Sequence, residues 1–198
     1  MNTARQLHHL NAADHQSACG SSLVTTSGCQ VLDEMLPGGG WPKGGVVELI
    51  VPDDHAEAID LVMPALRRLS LQGRWITLVT PPLPSRAAVF TDQDINASRV
   101  LQVNPHPGRS GLWTVESMLR SGDCAALLAW PGCDTELMDK RLQKAAEQGK
   151  SLCILFRYAS LATHPSGVDV RLKVEVSEGG RAVYRVNGRG EALSGIAL

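Results

Sequence analysis

Residues 36–52 read Leu-Pro-Gly-Gly-Gly-Trp-Pro-Lys-Gly-Gly-Val-Val-Glu-Leu-Ile-Val-Pro, a glycine-rich turn followed by a largely apolar segment. The segment 46–51 shows little alternation between apolar and polar residues, which is typical of a strand covered on both faces in a parallel sheet. A strand of this kind leads into the phosphate loop of many nucleotide-binding domains. In such a loop, glycines let the backbone amides approach the phosphates, and a lysine neutralises their charge. The stretch therefore predicts the architecture of a nucleotide-binding domain.

The residues that follow the strand do not fit a phosphate loop. The loop begins at Pro52, and the acidic residues Asp53 and Asp54 occupy positions that need glycine. Glu57 stands at the position of the lysine, and Ala58 stands at the position of the hydroxyl that binds magnesium. At ~4 Å and an effective dielectric constant of ~20, each contact between like charges costs about 4 kcal/mol. We therefore predict that ATP does not bind in the usual mode.

Apolar strands alternate with amphipathic helices along the first 160 residues. The predicted strands cover 46–51, 75–80, 99–103, 124–130 and 151–156, and the predicted helices cover 27–35, 55–72, 85–90, 110–122 and 134–148. This order predicts an α/β fold, with a mainly parallel twisted sheet and helices on both faces. Two alternating segments, 168–176 and 181–187, flank a Glu-Gly-Gly turn and predict a C-terminal antiparallel hairpin at the sheet edge.

Length and composition indicate one globular domain. We expect a flexible arm over residues 1–26, a domain over 27–188 and a frayed tail over 189–198. The formal net charge of −1 argues against a strong grip on nucleic acid by the whole surface. No run approaches the ~18 apolar residues of a membrane span. The sequence therefore predicts a cytoplasmic protein with no membrane contact.

The rest of the chain contains no recognisable catalytic set. The six histidines are scattered, and no Gly-x-Ser-x-Gly nucleophile elbow occurs. Asp53 and Asp54 are interpreted as helix caps rather than metal ligands. The five cysteines form no Cys-x-x-Cys pair, which argues against a zinc site, and Cys124 and Cys153 lie in apolar runs where we expect buried thiols. These features predict a protein without catalytic activity, metal or cofactor.

The glycine turn and strand at 38–49 resemble the segment of RecA-type recombinases that leads into their ATP loop. Later segments resemble the RecA-derived ImuA and SulA families of the bacterial SOS response. The matching segments are Arg74-Trp75, Thr80-Pro81, 112–122, Ala129-Trp130, 141–149 and Phe156-Arg157. The resemblance covers about residues 27–176 and implies a RecA-like fold. It also implies that Thr80 replaces the catalytic glutamate of a recombinase and that Trp130 replaces its magnesium-binding aspartate.

The two families imply different partners for a protein without chemistry of its own. ImuA-like proteins support error-prone translesion synthesis, beside a Y-family polymerase relative and a C-family polymerase. SulA-like proteins bind the tubulin-like division protein FtsZ and block its polymerisation. The glycine turn, the Arg-Leu-Gln helix and the C-terminal hairpin favour ImuA, which is the leading interpretation. The Thr-Val-Glu-Ser-Met run favours SulA, which is the alternative.

The resemblance also implies a partner-contact region. Under the SulA alternative, the partner-contact region of that family matches Arg74, Val79 and Arg86 of this chain. The competing interpretation makes both arginines solvated surface charges and places Trp75 in the core. Under the ImuA interpretation, the contact surface is the sheet edge, and a homodimer is left open.

The C-terminal hairpin carries an excess of basic residues. A weak contact with DNA is one interpretation of this excess, and a solvated face is the interpretation that we favour. The basic residues are Arg171, Lys173, Arg181, Arg185 and Arg189.

Overall fold

The computed structural model describes residues 23–52, 56–82, 94–105, 109–131, 139–162, 164–177 and 180–198. Its strands are β1 (Val24–Thr25), β2 (Trp41–Pro42), β3 (Val46–Val51), β4 (Trp75–Val79), β5 (Val100–Val103), β6 (Cys124–Ala129), β7 (Leu152–Tyr158), β8 (Val170–Ser177), β9 (Gly180–Val186) and β10 (Ala192–Ala197). Its α-helices are α1 (Gln30–Met35), α2 (Met63–Ser70), α3 (Arg109–Ser121) and α4 (Asp139–Gly149). Short 3₁₀ helices cover Ala56–Leu61, Ala97–Arg99 and Ala159–Leu161.

One large sheet organises the chain. Its strand order is β10-β9-β8-β3-β7-β6-β4-β5, and all neighbours from β8 to β5 run parallel. The strands β8, β9 and β10 pair antiparallel. The prediction of an α/β fold with a mainly parallel sheet and a C-terminal antiparallel hairpin is therefore confirmed.

Two apolar cores lie against this sheet, and alternate strand residues divide between them. The first core contains Val47 and Leu49 of β3 together with buried residues of α1 and α2. The second core contains Val46 of β3 together with buried residues of α3 and α4. Because side chains alternate along a strand, this division explains why β3 is apolar throughout most of its length.

The glycine turn brings a tryptophan into the first core. Gly38 and Gly39 have φ angles of 77° and 80°, a region that favours glycine. A Cβ atom on Gly40 would lie 2.5 Å from the carbonyl oxygen of Thr25. The turn therefore needs glycine at all three positions, and the indole of Trp41 that follows is fully buried.

Several predicted boundaries differ from the structure. The predicted helix 55–72 divides into a 3₁₀ helix and α2, because Pro64 is tolerated only in the first turn of an α-helix. The predicted tail after residue 189 contains β10, which pairs with β9. Pairing of β1 with β2 starts at Val24, inside the expected arm. The predicted helix 85–90 lies outside the described residues.

The cysteines of the sheet are buried, as predicted. Cys124 and Cys153 lie in β6 and β7, and burial raises the pKa of both thiols above its ordinary value. In the part of the chain that the structure describes, no helix has the length and apolar character needed to cross a membrane.

Candidate partner-binding surface

Three positions that the resemblance assigns to a degenerate ATP site lie at the carboxyl ends of parallel strands. Pro52, Thr80 and Trp130 directly follow β3, β4 and β6. Thr80 has a φ angle of 48°, and its hydroxyl donates a 3.1 Å hydrogen bond to the carbonyl of Trp130. Its backbone amide donates to Val103 at 3.0 Å, and the amide of Trp130 donates to Val79 at 3.2 Å. Thr80 and Trp130 therefore tie three strand ends together.

An aromatic stack occupies the same edge. The ring of Trp130 lies parallel to that of Phe156, with 4.6 Å between centroids, and packs against the first core. Ala58 is buried in that core. Asp53 and Asp54 lie outside the described residues, as does the side chain of Glu57. Within the described ranges, no three histidine, cysteine, aspartate or glutamate side chains gather as metal ligands would.

Arg74 directly precedes β4 and joins elements at the amino ends of the parallel strands. Its guanidinium donates to the carbonyls of Gly149 at 2.7 Å, Lys150 at 3.0 Å and Cys124, and to the hydroxyl of Ser151 at 3.2 Å. Gly149 and Lys150 end α4, where carbonyl groups lack partners within the helix. Burial lowers the pKa of Arg74 from its ordinary value. Arg74 is thus neither a fully solvated charge nor a simple surface contact.

The other two predicted contact residues do not form a described surface with Arg74. Val79 is buried in the second core, with 3% of its surface exposed. Arg86 lies outside the described residues. Val79 is therefore not exposed beside Arg74, and a contact at Arg86 stays a prediction.

An apolar patch is exposed where β4 and β5 form the sheet edge. Leu101 pairs with Thr77, two residues after Trp75, so the side chains of Trp75 and Leu101 project from the same face. They are 36% and 38% exposed, and the guanidinium of Arg99 lies 5.4 Å from the centre of the Trp75 ring. We call Trp75, Arg99 and Leu101 the β4–β5 patch. Tryptophan and arginine are enriched at protein interfaces.

Sequence reasoning missed this patch because it assigned Trp75 to the core. A second exposed tryptophan, Trp113 of α3, is 66% exposed. The amide of Trp75 donates to the carbonyl of Asp123, ten residues after Trp113. Asp123 follows the end of α3 at Ser121, and at about 1.5 Å per helical residue Trp113 lies about 12 Å from that end of the helix.

Three charged side chains, one each from β3, β7 and β8, form a buried ion-pair triad. Arg157 Nη1 is 3.0 Å from Glu48 Oε1, and Arg171 Nε is 2.8 Å from Glu48 Oε2. All three side chains are at most 3% exposed. The contact of Arg171 is ionic rather than a well-aligned hydrogen bond, and its other nitrogens donate to the carbonyls of Gly188 and His164. Arg171 therefore does not contribute to a basic surface.

Two more of the hairpin's basic residues have acidic neighbours. Lys173 lies 2.7 Å from Glu175, and Arg181 lies 3.7 Å from Asp60. With Arg171 buried, the positive excess that suggested a DNA contact is largely neutralised. The structure favours the interpretation of this hairpin as a solvated face.

Comparisons with known proteins agree on one family. The family model described as cell division inhibitor SulA matches residues 44–153, which is more than half of the chain. A cell division inhibitor SulA of Serratia proteamaculans is 24% identical over 116 residues, covering 58% of this chain and 69% of the relative. The protein of the same name from Cronobacter turicensis is 26% identical over 117 residues, covering 58% and 70%. That of Yersinia pestis is 24% identical over 132 residues, covering 67% and 79%.

A solved structure of SulA from Pseudomonas aeruginosa aligns with a TM-score of 0.47 at 23% identity, covering 57% of this chain and 97% of that one. The sequence matches support the SulA alternative and leave the ImuA interpretation, with its polymerase partners, without support. The matched range runs from the glycine turn to β7 and includes the β4–β5 patch. On this match, the chain belongs to the SulA family.

Proposed function

We propose that this protein is a cell division inhibitor that binds FtsZ and blocks its polymerisation, acting in the cytoplasm without chemistry of its own. The observation that carries the proposal is the family match over residues 44–153. The relatives named above are all described as cell division inhibitors. A sheet whose strand ends are joined by Thr80 and Trp130 suits a binding module rather than an ATPase.

A polymerisation assay tests this function directly. FtsZ is assembled with GTP in the presence of increasing amounts of the purified chain, and polymer is measured by light scattering and by sedimentation. We expect polymer to fall as the chain approaches an equimolar amount, because a one-to-one complex removes subunits from assembly. Unchanged polymer at a several-fold excess of the chain would contradict the proposal.

We further propose that the β4–β5 patch is the central part of the FtsZ contact. Trp75 is exposed although it is large and apolar, and Arg99 covers one face of its ring. Arg86 follows β4 in the chain and remains a predicted contact. Arg74 and Val79 make contacts within the domain, so they would hold β4 in position rather than contact FtsZ.

Replacing Trp75 with alanine should weaken FtsZ binding by about thirtyfold or more, because truncation of a central interface tryptophan that acts as a hot spot costs at least about 2 kcal/mol. Binding is measured by biolayer interferometry, and folding is checked by urea denaturation. The matched control is Trp113→Ala, which removes a more exposed tryptophan at a distance from the patch. Equal losses for both variants, or no loss for Trp75→Ala, would rule out the patch as the contact.

We also propose that the fold has a RecA-like ancestry and has lost the ATP site. The stacked ring of Trp130 and the bonded hydroxyl of Thr80 support this, since both stand where a recombinase needs carboxylates. Isothermal titration with ATP and magnesium should give no binding heat up to millimolar concentration, while a RecA-type ATPase serves as the positive control. A micromolar Kd would refute this part of the proposal.

A further inference from the structure

Helices α3 and α4 carry a cluster of charged side chains on the surface that they share. Glu116 of α3 lies 2.6 Å from Arg120 of the same helix and also pairs with Arg141 of α4. The glutamate side chain is 9% exposed, whereas the two arginine side chains are 53% and 56% exposed. Arg120 Nε also donates to Oε1 of Gln148 in α4 at 3.1 Å. One mostly buried carboxylate therefore holds two half-exposed guanidinium groups in place.

The two arginines keep hydrogen-bonding capacity towards solvent. A guanidinium group carries five N–H donors. In the contacts between described residues, Arg120 uses Nε and Nη2, and Arg141 uses Nη2 alone. The other donors of these half-exposed side chains can therefore bond to a ligand on the outer side. Because Glu116 balances the charge of only one arginine, the three side chains together keep a positive charge.

An exposed tryptophan stands beside these charges. Trp113 precedes Glu116 by three residues and Arg120 by seven, and side chains with these spacings lie on the same face of a helix. Trp113 is 66% exposed. A single exposed apolar residue needs no explanation, but tryptophan and arginine together are the residue types that dominate the energetics of protein interfaces. We call Trp113, Arg120 and Arg141 the α3–α4 cluster.

The exposed face of α4 adds further positive charge beside the cluster. Lys140 and Lys144 are both exposed. The exposed Glu147 lies on the other flank of α4, where its Cα atom is 3.3 Å from the position of a Cβ on Gly44 in the turn before β3. The side chain of Asp139 lies outside the described residues. The described charges around the α3–α4 cluster are therefore complementary to an acidic ligand.

We propose that the α3–α4 cluster binds an acidic linear segment of a partner protein. An apolar side chain of the segment packs on the indole of Trp113, and its carboxylates pair with Arg120 and Arg141. The planar guanidinium group matches a carboxylate, and arginines that Glu116 already holds lose little conformational entropy on binding. A nucleic acid fits less well, because its affinity depends on the number of phosphates neutralised, and Glu116 already occupies one side of both arginines.

A second contact of this kind goes beyond the proposed inhibition of FtsZ. Helix α3 packs mainly against α4 and β6, whereas the β4–β5 patch lies at the sheet edge beyond β6. The side chains that hold the cluster in place, Glu116 and Gln148, belong to α3 and α4. The acidic segment and FtsZ would therefore bind to different elements of the domain.

A peptide selection tests the chemistry of the ligand. The full chain is immobilised, and a phage library of random dodecapeptides is selected for binding to it. The selected peptides should be richer in Asp and Glu than the unselected library. The most enriched peptide is labelled with fluorescein and titrated by fluorescence anisotropy, and its counterpart with Asn and Gln in place of the acidic residues should bind about tenfold more weakly. Selected peptides without an acidic bias would overturn the proposal.

Substitutions test the place of binding with the same labelled peptide. Trp113→Ala and Arg141→Gln should each weaken its binding by about tenfold, and Arg141→Lys should recover part of the loss because it keeps the charge. The matched control is Arg67→Gln, which removes an arginine of similar exposure from α2, where it pairs with Asp94, and should leave peptide binding unchanged. Urea denaturation checks that each variant is folded. Unchanged binding in Trp113→Ala and Arg141→Gln, or an equal loss in Arg67→Gln, would refute the site.

A labelled oligothymidylate of about 20 nucleotides tests the competing class of ligand, because single-stranded DNA also combines stacking on aromatic rings with contacts to basic side chains. We expect it to bind more weakly than the acidic peptide. Tighter binding of the oligonucleotide, lost in both Trp113→Ala and Arg141→Gln, would assign the cluster to nucleic acid and overturn the proposal.

Discussion

Replacing Glu48 with alanine should lower the free energy of unfolding by about 3–5 kcal/mol, as expected for the loss of one partner in a buried ion pair. The carboxylate of Glu48 lies between Arg157 and Arg171, and all three side chains are at most 3% exposed. Without it, two guanidinium groups in a low-dielectric interior lose the carboxylate that lies between them. Urea denaturation followed by circular dichroism measures the change.

The matched control is Glu175→Ala, which removes a glutamate from a neighbouring strand. Its ion pair with Lys173 is about half exposed at both ends, so we expect a change of less than about 1 kcal/mol. If Glu48→Ala and Glu175→Ala lowered the free energy of unfolding by equally small amounts, the buried contacts of Glu48 would not stabilise the fold. The prediction for the triad would then be wrong.

Replacing Arg74 with alanine should lower the free energy of unfolding by about 2–3 kcal/mol, because hydrogen bonds from a charged group contribute about this much. The guanidinium connects the start of β4 with Cys124 of β6 and with the carbonyls that end α4. Ser151 also donates to the carbonyl of Cys124 and keeps part of the network. The control Arg67→Ala removes an exposed arginine that pairs with Asp94 at 2.8 Å, and should cost less than about 1 kcal/mol.

The same variant separates a structural role from a contact role. If Arg74 acts within the domain, Arg74→Ala should bind FtsZ normally at temperatures well below its unfolding transition. Loss of binding with unchanged stability would instead support the partner contact that the resemblance implies. Arg74→Lys keeps the charge but not the branched set of donors, so it should restore only part of the lost stability.

The strands of the parallel sheet could be predicted because their sequences are continuous apolar runs with clear ends. Strand β3 has the bounds that its apolar run predicts. Strand β10 could not be recognised, because Ala-Leu-Ser-Gly-Ile-Ala has one β-branched residue and a glycine. Its pairing depends on β9, which supplies the backbone partners.

The site was harder to predict than the fold. A signal for the buried triad existed, since Glu48 interrupts one apolar strand and Arg157 directly follows the apolar run of another, and a charge buried in this way needs a partner. Arg74 gave no such signal, because most of its acceptors are backbone carbonyls, which any residue can supply. The exposure of Trp75 depends on its place at the start of β4 beside an edge strand, which a pattern of residue types does not reveal.

Strand β3 pairs on both sides with strands that follow it by more than a hundred residues. Val46 lies opposite Cys153, and Val47 lies opposite Val170. During synthesis, this fully buried strand therefore has no neighbour in the sheet until residues beyond 150 have left the ribosome. Contacts between such distant residues slow folding to the range of milliseconds to seconds. A cell that needs this protein quickly must therefore protect the growing chain from aggregation until β7 and β8 are available to pair with β3.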